Sequence, residues 1–473
     1  MNRQDFTPFD TVSHIWESLQ LPATALDSLD LIEDGKPLPS SFKVEHLVQA
    51  SIAVSALSAS LFHATRNGQS PVIPKVSVPL EHACIEFISE RVYTLDSKSP
   101  PSAWGAIGGL HKCADGYVRI HDGFPHHQRN ALHILGLPDD ATRDDVAGKT
   151  LQWSALGLER QAIQGGAVIV ALRSFEEWDA HPQSKAIADF PIAVKKLGNA
   201  APYLKSIQSS QEKNKCLEGI RVVELSRVIA APVAGKTLAA HGADVIWVTS
   251  PNLPDKPELD RDLARGKRSV QLDIKEESDM KTLRELLRTA DVFIQSYRPG
   301  SLAKLSLSPE EIVKLNPNLI VANLSAYGPD GPWRENRGFD SLVQTCSGLN
   351  VADAERYGEG EPARVLPCQA LDHGAGYLLA TGVMTALYRR AMSGGSFEVQ
   401  VSLAGVGKYL RSLGQRDAVK GGDSQDEDQY LEKRQSDFGE LRAVRHSAAI
   451  EGLEVGWDIM SRVLGSDVAR WQT

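Results

Sequence analysis

The 473-residue sequence predicts an α/β fold, a doubly wound parallel sheet accompanied by a smaller α+β domain. Three observations carry this. Short apolar runs alternate with helical-period segments between Cys216 and Leu403, as they do when strands return parallel through helices. Glycine and Asp-Gly turn signals with alternating apolar residues between Trp104 and Ile120 mark a separate β-containing unit. The chain is also too long for one ordinary core.

In the larger unit, Gly219 to Leu225 reads as a buried strand, and Ala231 to Ala240 as a helix with Pro232 in its first turn, where a missing N–H is tolerated. His241-Gly242 closes that helix. Strands follow at Ala243–Val248, Ser269–Leu272, Asp291–Ile294 and Leu319–Leu324, with helices at Glu276–Arg288 and Pro309–Leu315 between them. The first strand-to-helix turn, Ser226 to Gly235, has neither GxGxxG nor GxxxxGK[ST]. A Rossmann-like sheet without its phosphate glycines is a scaffold and not a dehydrogenase. Before it, a helical stretch spans about Thr150 to Gln164 and a strand Ala167 to Leu172. Polar residues from Ser206 to Lys215 read as a linker, and the stretch after Gln415 as mobile as far as Asp428.

Two segments echo each other. His46 to Gly68 and Asp372 to Gly394 are both small-residue helices, and both lead into alternating strands, Lys75–Val78 and Glu398–Val401. In this register His46 stands where Asp372 stands, so only the second copy can do carboxylate chemistry.

A net charge of −9 argues against nucleic acid as the partner but leaves room for a local basic pocket. The five cysteines are scattered without a CxxC pair, which suits free thiols in a reducing compartment. No apolar run is read as long enough to span a membrane, and Met1-Asn2-Arg3-Gln4-Asp5 precedes no signal-like block. The expected location is the cytoplasm, with the mitochondrion as the alternative.

Asp372 lies in Gln369-Ala370-Leu371-Asp372-His373-Gly374-Ala375-Gly376, at the start of an Ala- and Leu-rich helix. It reads either as a helix N-cap or as a nucleophile beside glycines that admit a ligand to the backbone. In both readings the exposed N–H groups of the helix start are available to an oxyanion. His121, His126 and His127 match no zinc spacing and read as a solvated turn. The pairs Lys267-Arg268 and Arg389-Arg390 read as solvated charge, or else as phosphate contacts. No GxSxG elbow is present, and Cys346 and Cys368 read as small buried hydrophobes.

Together, Leu217-Glu218-Gly219-Ile220-Arg221-Val222, Ala239 to Val245, Gly266-Lys267-Arg268-Ser269, Tyr297-Arg298-Pro299-Gly300, Tyr327 to Trp333 and Gly338 to Gln344 resemble the family III CoA-transferases. This is the group of formyl-CoA and carnitine CoA-transferases. A weaker likeness covers Cys113 to Ile120 and Phe175 to Gln183, which resemble the family's small domain, here placed before the larger unit. The resemblance implies a partial, degenerate copy of the end of the large domain over 1–100, a small domain over 101–205 and a linker over 206–215. It further implies the large domain over 216–410, a partly mobile tail over 411–473, and an interlocked homodimer. By the same resemblance Asp372 is the catalytic carboxylate, attacking an acyl-CoA and passing CoA to a small carboxylic acid through a mixed anhydride and an aspartyl-CoA thioester. CoA is then a substrate, and no cofactor is permanently bound. The positions matching CoA contacts are Ile229, Ala230, Leu272, Asp273, Ile274, Lys275, Ser296, Tyr297, Arg298, Lys304 and Arg337. Thr249-Ser250 departs from the acidic-then-basic pair common after the second strand. The rival readings are a 2-methylacyl-CoA racemase, disfavoured by Phe339 where such members carry His, and a non-catalytic CoA-binding homologue.

Overall fold

A computed structural model describes residues 2–67, 72–204, 215–360, 362–417 and 427–472. Strands Arg221–Leu225, Asp244–Thr249, Lys267–Gln271, Val292–Gln295, Ile320–Ser325 and Ser396–Ser402 lie parallel, in the spatial order third, second, first, fourth, fifth, sixth. Successive side chains point to opposite faces. Val222, Val245, Ile294 and Val399 pack with the helices Ala230–Ala240 and Ala370–Ser393. Val223, Ile246, Phe293 and Val321 pack with Glu277–Thr289 and Pro309–Leu315 on the other face. Burial on both faces is why the fourth and fifth strands read as near-continuous apolar runs.

The sheet is mixed, which corrects the expectation of a purely parallel one. Ile192–Gly198 adds a seventh strand, antiparallel to Ser396–Ser402. These residues were expected in the small domain, but an edge strand needs to bury only part of its surface, and Lys195 and Lys196 stay exposed on it.

Around residues 107–171 a separate apolar core forms between the antiparallel strands Gly109–Lys112, Tyr117–Ile120 and Ile169–Ala171 and the helices Pro125–Leu135, Arg143–Thr150 and Ala155–Gly165. The single helix expected near 150–164 is interrupted because Ser154 accepts a hydrogen bond from the Gly157 N–H and starts a new one.

The Val44–Arg66 helix is long and apolar enough to cross a membrane by length and composition, which corrects the sequence reading. It is buried throughout, against the 370–393 helix. Three of its serines donate to its own carbonyls, Ser51 to Val48 at 3.1 Å, Ser55 to Ile52 at 2.8 Å and Ser58 to Val54 at 2.8 Å, and Ser60 donates to the Pro74 carbonyl at 2.8 Å, so a polar residue every few positions costs little inside the core. His46 and Asp372 are each the third residue of their helix.

The stretch after 427, expected to be a tail, folds back. Leu431–Ser436 and Gly439–Val444 form a hairpin against Thr94–Leu95, and Ala449–Ile450 joins Val76–Pro79. Trp457 fills the space over Gly266, where a Cβ would come within 2.4 Å of the indole. Isolated apolar anchors such as Leu441, Ile450 and Trp457 escape a reading based on average composition. The expected linker, apart from Lys215, and the expected mobile stretch at 418–426 lie outside the described residues.

Candidate active site

The order of the strands reverses between Arg221–Leu225 and Val292–Gln295. At such a switch point the loops after the strand C-termini diverge and leave a crevice. Here it is a cavity of ≈ 310 Å³. Its walls come from the turns after the first, fourth and fifth strands, from Arg337 to Phe339, from Leu403, and from Phe124, His126 and His127 of the small unit. In the first of these turns Val228 has φ of 72°, a conformation β-branched residues seldom adopt and one that costs about 1–3 kcal/mol.

Asp372 lines this cavity and is 6% exposed. It does not cap its helix. That role falls to Asp340, at the start of the Asp340–Cys346 helix, whose Oδ2 accepts the N–H groups of Leu371 at 2.8 Å and Asp372 at 2.9 Å. Those N–H groups are therefore taken, which corrects the expectation that they are free for an oxyanion. Burial raises the Asp372 carboxyl well above the usual range, and the like charges of Asp340 and Glu90 add to it. Asp340 is itself pushed up to about 6 by burial, against the hydrogen bonds it accepts. Two buried carboxyls this close resist simultaneous ionisation, as a shared-proton pair does.

The glycines after Asp372 serve packing and not ligand approach. A Cβ on Gly376 would lie 2.5 Å from the Ala230 carbonyl oxygen and 2.6 Å from the Val233 side chain, so Gly376 allows the 230–240 and 370–393 helices to touch.

Of the expected CoA contacts, Ile229, Ala230, Ser296, Tyr297, Arg298 and Arg337 line the cavity with Asp372. Leu272, Asp273, Ile274, Lys275 and Lys304 do not. Leu272 and Ile274 pack into the core on the far face, Asp273 accepts the Lys275 N–H at 3.1 Å and binds Asn252 at 2.6 Å, and Lys275 and Lys304 are exposed. The third strand ends two strands away from the switch point, so its C-terminal turn does not reach the crevice. Arg227, which no sequence signal marked, supplies a third guanidinium beside Arg298 and Arg337.

Three further expectations are corrected. The histidines are not a solvated turn. His121 and His127 are buried, and His121 stacks on Phe339 with ring centroids 3.8 Å apart. Burial depresses His121 to about 3 and His127 to about 2, with the neighbouring histidines and then Arg337 and Arg227 adding to the latter, so both rings are neutral and His127 is a wall of the cavity. Lys267 and Arg268 are buried, Lys267 paired with Glu224 at 2.9 Å and Arg268 forked on Asp244 at 2.7 Å. Arg390 is buried against Asp291 at 3.0 Å, and Arg389 reaches the Leu19 carbonyl at 2.6 Å. Lys267, Arg268 and Arg390 are therefore buried ion-pair partners, whereas Arg389 is half-buried. Cys346 and Cys368 are buried free thiols, and burial pushes Cys346 up to about 12. Among the described residues no cluster of His, Cys, Asp and Glu fits a metal ion.

Residues 217–430 match the sequence model of CoA-transferase family III. A probable fatty acyl-CoA transferase of Mycobacterium tuberculosis is 35% identical over 42% of this chain and 53% of its own length. An acetyl-coenzyme A transferase of Hypoxylon pulicicidum is 35% identical over 66% of this chain and 55% of its own. A formyl-CoA:oxalate CoA-transferase of Rhodopseudomonas palustris is 34% identical over 48% and 54%. The chain spans about half the length of the curated relatives it matches.

Proposed function

We propose that this protein transfers coenzyme A between an acyl-CoA thioester and a carboxylic acid, with Asp372 as the nucleophile. The observation that carries the reading is a single one. A carboxyl otherwise sealed in the protein opens onto the same cavity as Arg227, Arg298 and Arg337. Guanidinium groups bind phosphate through paired N–H donors, so the nucleotide end of CoA belongs on their side and the thioester on the side of Asp372. The carboxylate oxygen of Asp372 attacks the thioester carbonyl, the C–S bond breaks, and CoA leaves as thiolate. The thiolate attacks the aspartyl carbonyl of the mixed anhydride and releases the donor acid. The acceptor carboxylate then attacks the aspartyl-CoA thioester, and the returning thiolate opens the second anhydride to give the new acyl-CoA and free Asp372. Splitting one hard exchange into short steps is the gain of covalent catalysis.

Racemisation of a 2-methylacyl-CoA is the weaker reading. It needs a second base across the α-carbon from Asp372. His373, next to Asp372, is buried against Glu90, and the rings that line the cavity, His126 and His127, are both lowered by burial, His127 to about 2, which makes them weak bases for that proton. The homodimer implied by the family resemblance, and a cytoplasmic location in keeping with five unpaired thiols, belong to the same proposal.

Hydroxylamine added during acyl-CoA turnover should trap Asp372 as a hydroxamate, seen by peptide mass spectrometry, and Asp372→Ala should lose both the label and at least ~10³-fold in turnover. Near wild-type turnover in Asp372→Ala would refute the assignment. Exchange of the α-proton with solvent and no label would favour racemisation, and neither signal a silent homologue.

A further inference from the structure

Directly after Asp372 stands a pair that the mechanism above does not use. His373 is 1% exposed, and its Nε2 lies 3.1 Å from Oε2 of Glu90. Glu90 is also buried, at 5% exposure, and comes from the Ser89–Val92 turn of the N-terminal segment, 283 residues earlier in the chain. A carboxylate only accepts, so Nε2 must carry the hydrogen, and this fixes the ring's tautomer. Phe87, three residues before Glu90, stacks on the same imidazole with centroids 5.2 Å apart, so the ring is held by its face as well as its edge. The other ring nitrogen, Nδ1, is buried with no hydrogen-bond partner among the described residues. A buried ring with an orphaned nitrogen is costly to keep. Its one polar contact is made to a segment that the sequence reading treats as degenerate.

We propose that Glu90 is a positioning residue for Asp372, holding the first turn of the 370–393 helix through His373 and setting a fixed negative charge behind the reacting carboxylate. This rests on the reading of Asp372 as the nucleophile. The groups facing this turn are Asp340 from the 340–346 helix, Glu90 and Arg91 from the N-terminal segment, and Cys368 from the preceding loop. Arg91 Nε lies 3.2 Å from Oε1 of Glu90 and is itself 45% exposed, so it anchors Glu90 from the solvent side. Burial alone would raise Glu90, but the hydrogen bond from His373, together with Arg91, holds it below the ordinary value. An anion fixed beside a second carboxylate makes the latter more basic and hence a better nucleophile once ionised, by the like-charge effect already seen from Asp340. The N-terminal segment thus contributes to the site in place of chemistry of its own.

The test is Glu90→Gln, which keeps the size and an acceptor for His373 but removes the charge. The expected result is an acid limb of the kcat/KM–pH profile moved to lower pH by about one unit, since one of two like charges on Asp372 is gone, with KM for acyl-CoA unchanged. Glu90→Asp, which keeps the charge, should leave the limb near its wild-type position. A Glu90→Gln profile that overlays the wild type, with only a lower unfolding temperature, would make Glu90 a plain packing residue and overturn the proposal. Nitrogen NMR of His373 in the wild-type protein is independent of whether the variants fold. Protonated Nε2 is required, and a proton on Nδ1 alone overturns the assignment. Failure of hydroxylamine to label Asp372 in the wild type would instead remove the underlying reading, so the two failures are distinct.

Discussion

Adding one methyl group at Gly376 tests how closely packing and chemistry are coupled. Its Cβ would sit 2.5 Å from the Ala230 carbonyl oxygen and 2.6 Å from Cβ and Cγ1 of Val233. A carbon and a carbonyl oxygen rest no closer than about 3.3 Å, so the two helices must part by roughly 0.8 Å there. The obstacle is backbone, which cannot swing aside. Overpacking of this kind costs about 1–3 kcal/mol, against which alanine returns ~1 kcal/mol of helix propensity. Chemistry should suffer more than stability. Gly376 lies one turn after Asp372, and Ala230 is a wall of the cavity, so the parting falls between nucleophile and substrate. A misplacement of ~1 Å can cost about 10²-fold in rate. Gly374 is the matched control. Its added Cβ would meet only the side chains of Leu47 and Val406, at 3.3 Å, and these can shift by a few tenths of an ångström. Urea unfolding and turnover with an acyl-CoA donor should therefore show Gly376→Ala destabilised and slowed by about 10²-fold, with Gly374→Ala near wild type in both. Equal behaviour of the two variants would refute the reasoning.

Lys267→Met leaves the Glu224 carboxylate buried with the Ser226 hydroxyl as its remaining partner, and should lower unfolding free energy by about 3–5 kcal/mol; the double variant with Glu224→Met should recover much of it. Asp340 is raised in the folded state to about 6 from 3.8, so the native protein holds an extra proton between those values. Its contribution to stability is full below 3.8 and lost as pH rises through about 6. Asp340→Asn should remove that loss, so its unfolding temperature relative to wild type should rise between pH 4 and pH 7. A constant difference would argue against the shift.

Much of the large unit was legible in the sequence. The expected helix Pro309–Leu315 has those limits in the structure, and the strands fall within two residues of their expected bounds, because apolar runs bounded by turn residues are local information. The position of Asp372 at a helix start was legible for the same reason. Its neighbours were not. Asp340 lay inside a recognised block without a role, and nothing in the sequence points from Glu90 to His373.

What the sequence determined by itself was which segments are strands and helices, which faces they bury, and that one carboxyl stands at the mouth of a small-residue helix. Only the tertiary structure decided which charges are buried, since Lys267, Arg268 and Arg390 look like surface residues until Glu224, Asp244 and Asp291 are brought to them. It alone decided that His127 is a neutral wall, that Gly376 is a contact point between helices, and that the far N-terminal segment reaches His373 beside the candidate nucleophile. The physical reason is one of range. Periodicity is written in residues three or four apart, whereas the solvation and partner of a buried ionisable group are set by atoms that folding brings from hundreds of residues away.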